Sequence, residues 1–366
     1  MSSKSIRIGL VGPLPPPSGG MANQTRQLAH LLRAEGIVVD VVQVNAPYRP
    51  AWIGSMRGIR ALVRFIPYVL RVWHAAGRVQ LFHVMANSGW AWHLFAAPAV
   101  WIGWLRRKPV IVNYRGGEAD TFFDRQFWWV KPTLLRTHAV VVPSAFLEEV
   151  FRKRMVAVDI VPNVIDLSRF FPARREPGEY HLIVTRNLED IYDIPTALRA
   201  FAIVQKHLPG ARLTVAGSGP KFAELQKLCE AMGIASSVRF TGRLDNERVA
   251  ELYRLADLML NPSLADNMPI SLLEAMASGV PVVSTRVGGV PYLVEDGKNA
   301  LLVPAGDSSA MASASLRVLQ DRELASRLVR SGIEVAQRYT WTEVKPRLFT
   351  VYARVLGVAT LSPCVP

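Results

Sequence analysis

Short apolar runs alternate along this chain with longer stretches in which apolar residues return every three or four positions. Ile6–Val11, Ile37–Val44, Leu81–Met85, Val110–Tyr114, Ala139–Pro143 and Asp159–Val161 read as strands of the first half. His181–Arg186, Ala211–Gly217 and Pro281–Thr285 read as strands of the second. The helical period predicts helices over Met21–Glu35, stopped by Gly36, over Ile194 to about Lys206, in a stretch ending at Met232, and near Thr342–Val355. Strands alternating with helices predict an α/β protein with parallel sheets, because each crossover lays a helix on the sheet. The same style runs through both halves, with no short-period repeat or low-complexity tract.

With 366 residues the chain is long enough for two domains, each with its own core. Half of it is hydrophobic and a fifth is charged, which excludes a disordered chain. Cys229 and Cys364 lie far apart without metal-ligand spacing, which argues against a zinc site and fits a reducing cytosol. MSSKSIRIGLVG leads straight into a strand and lacks the apolar region of a secretory signal, so a cytoplasmic location is expected. The charge is uneven. Residues 1–175 hold 23 Lys+Arg against 9 Asp+Glu, while the remainder holds 20 of each, and eight of the nine Trp are in the first part. A basic, Trp-rich half points to an anionic partner: a membrane surface, a phosphorylated lipid or nucleic acid.

The richest segment is Asn261–Thr285, NPSLADNMPISLLEAMASGVPVVST. Asp266 sits in a strand-to-helix loop and Glu274, eight positions on, a turn or so into the helix. Both carboxylates are placed outside the carboxyl end of a strand, where open parallel sheets bind ligands. Ionised carboxylates only accept hydrogen bonds, so a pair suits a hydroxyl-rich ligand such as a sugar. Gly19 and Gly20 end a Pro/Gly-rich loop after the first strand and precede a helix, a setting in which backbone N–H groups can approach a phosphate. The spacing is not that of a dinucleotide fingerprint. Gly217 and Gly219 make a turn after the strand ARLTVA.

The Asn261–Thr285 segment resembles the family-4 type of retaining glycosyltransferases (glycosyl transferases group 1), whose motif is two Glu followed by AMA-G-PVV-T. Asp266 stands at the first Glu and Glu274 is the second. The resemblance implies the GT-B fold: two Rossmann-like domains with an interdomain cleft, and a C-terminal helix crossing back to the first domain. NVIDLSRFFPARREPGEY resembles the family's exit from its first domain. The expected division is 1–172 for an N-terminal acceptor-binding domain, 173–340 for a C-terminal nucleotide-sugar-binding domain and 341–366 for the returning helix. The linker is expected near Phe171–Glu179.

The resemblance also implies roles. Arg186, in TRNLEDIYD, keeps the family's arginine after the first strand of the second domain, where a guanidinium clamps a diphosphate. The family's lysine is replaced by Tyr192 or Asp193. Glu274 is implied to accept from the nucleotide ribose and Asp266 to lie nearer the transferred sugar. Backbone N–H groups of Asn267, Met268 and Ile270 are implied donors to the ligand; Pro269 has none. Arg115 stands where many members have a histidine meeting the donor sugar. Gly19, Gly20, Arg115 and Gly217 complete the expected nucleotide-sugar contacts. Arg186, Asp266 and Glu274 are the expected catalytic residues. No metal and no cofactor are expected beyond the nucleoside-diphosphate sugar itself. Glu118 and Asp120 read as a polar loop rather than a metal pair, and His83 as either a cleft residue or a core one.

Arg57, Arg60, Arg64, Arg71 and Arg78 recur among Ile59, Leu62, Val63, Ile66, Val69, Leu70 and Trp73. That pattern describes a basic amphipathic helix for an anionic membrane surface, or a Rossmann helix with a solvated arginine face, kinked at Pro67 in either case. Trp90–Leu105 is the strongest apolar run, too short for a span, and reads as a buried or interfacial helix. The expected acceptor is a lipid-phosphate-linked or glycan molecule, handled at the inner face of the membrane during surface-polysaccharide assembly. Competing readings are a non-catalytic partner subunit, a nucleotide-sugar epimerase, or a phosphorylase, for which no pyridoxal-phosphate lysine is identified. A nucleic-acid-binding module lacks any aromatic–basic motif or zinc pattern.

Overall fold

The computed structural model describes residues 6–16, 19–47, 59–173, 180–359 and 361. The chain forms two compact units, Met1–Pro162 with Val344–Pro366, and Asn163–Glu343.

The first unit carries β1 (Arg7–Gly12), α1 (Gly20–Ala34), β2 (Val38–Gln43), α2 (Ile59–Ala76), β3 (Leu81–Ala86), α3 (Ala97–Leu105), β4 (Val110–Tyr114), α4 (Ala119–Leu134), β5 (Ala139–Val142), α5 (Ala145–Arg152) and β6 (Asp159–Ile160). The strands form one parallel sheet in the order β2-β1-β3-β4-β5-β6. β3 and β4 are buried along their whole length, as central strands covered on both faces must be. Tyr68, Val72, Phe82, Trp92, Tyr114, Phe123 and Phe151 anchor the core.

The second unit carries β7 (His181–Val184), α6 (Ile194–His207), β8 (Arg212–Ala216), α7 (Phe222–Ala231), β9 (Val238–Gly242), α8 (Asn246–Leu255), β10 (Leu258–Asn261), α9 (Ile270–Ala277), β11 (Val282–Thr285), α10 (Val290–Leu293), β12 (Leu301–Val303), α11 (Ser308–Gln320) and α12 (Arg322–Gln337). Its parallel sheet runs β12-β11-β10-β7-β8-β9. The order reverses between β7 and β10, which makes the carboxyl ends of those two strands the place where a doubly wound sheet opens a ligand crevice. Both sheets have the α/β arrangement expected.

The last helix, α13 (Trp341–Leu356), has its residues from Val344 onward in the first unit. Lys345 pairs with Glu35 at 3.2 Å, Arg354 binds Asp159, and Tyr352 is fully buried. The second unit starts at Asn163, ahead of the expected 173, because Ile165 and Phe170 bury themselves in its core and Ile165 N–H donates to Tyr339. Residues 174–179 of the expected linker lie outside the described residues, as do Arg57 and Cys364.

Of the two helical segments singled out in the first half, the second departs from expectation and the first fits only one of its two readings. Trp90–Leu105 is not one regular helix: Trp92–Ala96 is a π-helical turn and α3 follows it. Trp92 is buried, while Trp90, Trp104 and Leu105 are exposed. α2 does not present a purely arginine outer face. Val63, Ile66, Leu70 and Trp73 are exposed, a stripe at three- and four-residue spacing, while Tyr68, Val72, Ala75 and Ala76 face the core. The side chains of Ile59, Arg60 and Leu62 lie outside the described residues.

Candidate functional site

The second unit gathers its polar side chains at the point where the strand order reverses. Arg186 stands two residues beyond β7, and Asp266 five residues beyond β10. Arg186 Nη2 donates to Asp266 Oδ2 at 2.6 Å, and Arg186 Nε donates to Asn261 Oδ1 at 2.8 Å. Both partners of the ion pair are nearly buried, with side-chain exposures of 10% and 14%. The guanidinium is thus held on two edges of its fork, the geometry that distinguishes arginine from lysine.

A layer of short polar residues supports it. Asn261 Oδ1 also accepts from Ser263 Oγ at 3.0 Å, and Asn261 Nδ2 donates to Ser284 Oγ at 2.9 Å. Thr285 Oγ1 donates to the Ser263 carbonyl at 2.6 Å. Asn261, Ser263, Ser284 and Thr285 are all completely buried, so their mutual bonds offset the cost of keeping polar atoms from water.

Glu274 lies in the second turn of α9, and Tyr253, at the end of α8, is its nearest polar neighbour given by the structure. The Tyr253 hydroxyl approaches Glu274 Oε2 at 3.4 Å, the Ser271 carbonyl at 3.0 Å and Thr185 Oγ1 at 2.7 Å. Burial pushes the Glu274 carboxyl up to about 7, against opposing pulls from the Arg186 charge and the Tyr253 bond. Burial, reinforced by the Glu274 charge, likewise raises the Tyr253 phenol. Arg186, Asp266 and Glu274 therefore form one electrostatic cluster, in which the arginine touches one acid and favours ionisation of the other.

Glycines set the backbone of this cluster. A methyl group on Gly289 would stand 1.7 Å from the Asn267 carbonyl oxygen, and one on Gly288 2.2 Å from that of Asp266. Gly289 N–H donates to the Asp266 carbonyl at 2.8 Å. The loop after β11 is thus pressed onto Asp266–Asn267. Gly217 does the same for Arg186, whose carbonyl oxygen would lie 1.9 Å from an added Cβ. Its backbone packing on Arg186 explains the glycine at that position. Met268 is a core side chain, and its carbonyl accepts from Asn163 Nδ2 at 3.0 Å. Asn267 is buried, and Ile270 opens α9 after Pro269.

Tyr192 and Asp193 stand where the resemblance places the family's lysine, which a glycine follows in the family. Asp193 takes a left-handed backbone (φ 40°, ψ 48°), the conformation a glycine adopts freely, and its carboxylate accepts from Thr196 Oγ1 at the start of α6. Tyr192 is then the residue in the lysine's place. The Arg186 guanidinium carbon lies 5.3 Å from its ring centroid. An aromatic face thus lies beside the guanidinium. The sequence pattern does not reveal Tyr253, Asn261 or Thr185, because a tyrosine at a helix end and an asparagine at a strand end look like ordinary packing.

In the first unit, Gly19 caps α1 and Gly20 begins it, with open space where their side chains would be. Arg115 follows β4 directly. Its Nε donates to Asn113 Oδ1 at 3.0 Å and its Nη1 to Gln24 Oε1 at 3.4 Å, and burial lowers its guanidinium to about 10. His83 is fully buried, a core histidine held well below its ordinary range, at about 3, by burial and by the Arg115 charge. Asp120 is paired with Arg154 at 2.9 Å and Glu118 caps α4; among the described residues no three metal-ligating side chains cluster. Two cavities of about 400 and 460 Å³ belong to the first unit, between β2 and α2, and include none of the residues above. The buried polar layer, not cavity size, marks the candidate site.

Two family models match successive parts of the chain: Glycosyltransferase Family 4 over residues 18–169 and Glycosyl transferases group 1 over residues 167–335. The chain belongs to this family of GT-B glycosyltransferases. It is 27% identical to a phosphatidyl-myo-inositol mannosyltransferase of Mycobacterium leprae, across 96% of this chain and 97% of that one. It is 30% identical to an N-acetyl-alpha-D-glucosaminyl L-malate synthase of Bacillus anthracis, across 60% of this chain and 57% of that one. Among solved structures, a sucrose-phosphate synthase from Thermosynechococcus elongatus shares the fold with a TM-score of 0.76, 21% identity and coverage of 96% and 99%. Anabaena HepE, solved in complex with UDP and glucose, does so with a TM-score of 0.75, 17% identity and coverage of 95% and 99%.

Proposed function

We infer that this glycosyltransferase moves a sugar from a nucleoside-diphosphate donor to a lipid-phosphate-linked or glycan acceptor, with retention at the anomeric carbon. The observation that carries the reading is the Arg186–Asp266 pair beside Glu274 at the strand-order reversal of the second unit. Two acceptor-only carboxylates grip donor hydroxyls, Glu274 at the ribose and Asp266 nearer the sugar. Arg186, with the N–H groups of Asn267, Met268 and Ile270, meets the charge that develops on the departing diphosphate, and each such preorganised donor lowers the barrier by roughly 3–4 kcal/mol. From the first unit, Gly19, Gly20 and Arg115 are assigned to the same donor on the family resemblance. The acceptor hydroxyl then attacks from the face the diphosphate leaves, and the departing phosphate takes its proton. This route needs no metal, since arginine and helix-end N–H groups supply the positive charge.

The acceptor reading is supported by the basic first half, by the exposed stripe of Val63, Ile66, Leu70 and Trp73, and by the adjoining cavities lined by Arg64, Arg71, His74 and Arg78. Apolar area beside arginines suits a lipid carrying phosphate at an anionic membrane face. Among the described residues no helix is long and apolar enough to cross a membrane. A peripheral enzyme at the inner membrane face, in surface-polysaccharide assembly, is the setting we assign.

The test is turnover. Purified protein is offered a panel of nucleotide sugars, with and without EDTA, and donor hydrolysis and anomeric configuration are read by NMR. Hydrolysis of one donor with retention, unaffected by EDTA and abolished in Glu274→Gln, is expected. Tyr192 and Arg115, standing where the family has lysine and histidine, favour one second reading, a non-catalytic partner subunit. Absence of turnover with every donor and with membrane extract as acceptor would select it.

A further inference from the structure

Arg115 sits at the end of an unbroken hydrogen-bond chain that begins on the last helix, and the identities of its atoms fix the direction of every bond. Arg115 Nε has only a hydrogen to give, so Asn113 Oδ1, 3.0 Å away, is the acceptor. The amide of Asn113 therefore turns its NH₂ toward His83 Nε2, at 3.0 Å. That nitrogen must accept, which leaves the hydrogen of the neutral imidazole on Nδ1. Nδ1–H in turn donates to the Tyr352 hydroxyl oxygen at 2.8 Å. Tyr352, His83 and Asn113 are all buried to within 1% of complete, so water cannot substitute for any link. The rings of His83 and Tyr352 also meet edge to face, with centroids 5.8 Å apart, which restrains both side chains. At the other end, Gln24 on α1 accepts from Arg115 Nη1 at 3.4 Å.

We propose that Tyr352, His83 and Asn113 are positioning residues that lock the Arg115 guanidinium in the orientation needed to bind the donor's diphosphate. The last helix thereby sets an anion-binding side chain of the first unit, rather than only packing against it. This rests on the reading of Arg115 as a donor-binding residue. A guanidinium one residue past a parallel strand is in the right place for that, but on a flexible stem it would sample several rotamers. The chain removes that freedom before ligand arrives, and its single-tautomer histidine makes it directional: Asn113 can hold Arg115 only while Nε2 accepts.

Two measurements on the full chain test this. With ¹⁵N-labelled histidine, the His83 signals, assigned against His83→Gln, should show hydrogen on Nδ1 and none on Nε2. In Asn113→Asp, which cannot donate, Nε2 should gain the hydrogen. The second is a double-mutant cycle read by calorimetric titration of UDP and GDP. Tyr352→Phe, which removes one oxygen, should weaken the nucleotide that binds by about 5–10-fold in the native background and not at all beside Arg115→Ala. Equal weakening in both backgrounds would show a merely structural Tyr352 and overturn the proposal, as would hydrogen on Nε2 in the native protein. If Arg115→Ala binds both nucleotides as the native chain does, the donor reading of Arg115 fails and takes the proposal with it, and the histidine spectrum distinguishes that failure from a wrongly ordered chain.

Discussion

Arg186 and Asp266 face each other at 2.6 Å across the point where the second sheet reverses its strand order, one supplied from beyond β7 and the other from beyond β10. Neighbouring strands at a reversal diverge in their connections, so this pair closes the crevice that the topology opens. The aspartate satisfies the guanidinium. On the function proposed above, the donor's diphosphate competes with Asp266 for the same N–H groups.

Replacing Arg186 by Lys keeps the charge but loses the planar fork whose separate Nε and Nη2 edges reach Asn261 and Asp266, because an ammonium offers one compact point of contact. Arg186→Lys is expected to lose roughly 10²–10³-fold in kcat, the magnitude for removing a preorganised transition-state donor. Arg186→Ala should lose more and also lower Tm, since it strands Asp266 in a nearly buried place. Steady-state kinetics together with a melting curve for each variant check this. Equal kcat for Lys and Arg would remove the clamp from the mechanism.

Glu274 gives a pH dependence whose sign follows from burial. Its carboxyl is raised from 4.5 to about 7, so the folded chain holds the proton more firmly than the unfolded one. The stability this contributes is full below about 4.5 and lost as pH rises through about 7, amounting to about 3 kcal/mol at most. Glu274→Gln cannot ionise. The native protein should therefore lose Tm relative to this variant between pH 5 and 8. Donor binding, which uses the ionised form, should strengthen over the same interval in the native protein alone. A flat Tm difference across that range would contradict the shift.

Much of this site was legible in sequence because its chemistry sits in one short segment. Asp266, Glu274 and the following strand announce themselves by type and spacing, and Arg186 by its place after a strand. A strand apolar throughout, such as β5, was equally plain. β9 was not, because this edge strand is only half-buried and lacks a continuous apolar run. α11 hides for another reason: on its buried face Ala312, Ala314 and the completely buried Ser315 lie between Met311 and Val318–Leu319, so the apolar stripe is interrupted by small residues. Tyr253, Asn261 and Thr285 escape notice because their roles depend on contacts between segments remote in sequence. The outer face of α2 needed the structure too, since spacing alone cannot tell which of two apolar stripes meets the core.

Gly289 offers a test of backbone approach. An added methyl at 1.7 Å from the Asn267 carbonyl oxygen cannot be accommodated by a side-chain rotation, so Gly289→Ala must displace Asp266–Asn267 or the loop after β11. We expect a loss of roughly 2–4 kcal/mol in stability, in the range of strained or overpacked core positions, and little remaining transfer. Gly19→Ala is the contrast: nothing lies within 4 Å of the new methyl, and Tm should not move. Denaturant unfolding of the two variants side by side decides it. A Gly289→Ala protein as stable and active as the native one would mean the two loops are not packed as described.

The exposed stripe on α2 makes the membrane reading measurable. Ile66 and Leu70 are 57% and 52% exposed, and Trp73 at 41% lies under the Arg106 guanidinium, 4.7 Å from its ring. Burying such side chains in a lipid interface contributes on the order of 1 kcal/mol each, and each nearby arginine adds about 1 kcal/mol on anionic lipid. The native protein should therefore sediment with vesicles containing phosphatidylglycerol, less so as salt rises, and poorly with phosphatidylcholine alone. Ile66→Ser with Leu70→Ser should weaken that partitioning about 10–100-fold while leaving Tm unchanged, because neither side chain is packed in the core. Arg71→Glu should weaken it further and flatten the salt dependence. If the native chain ignores anionic vesicles at low salt, the stripe has another partner and the acceptor is not presented at a membrane by this face.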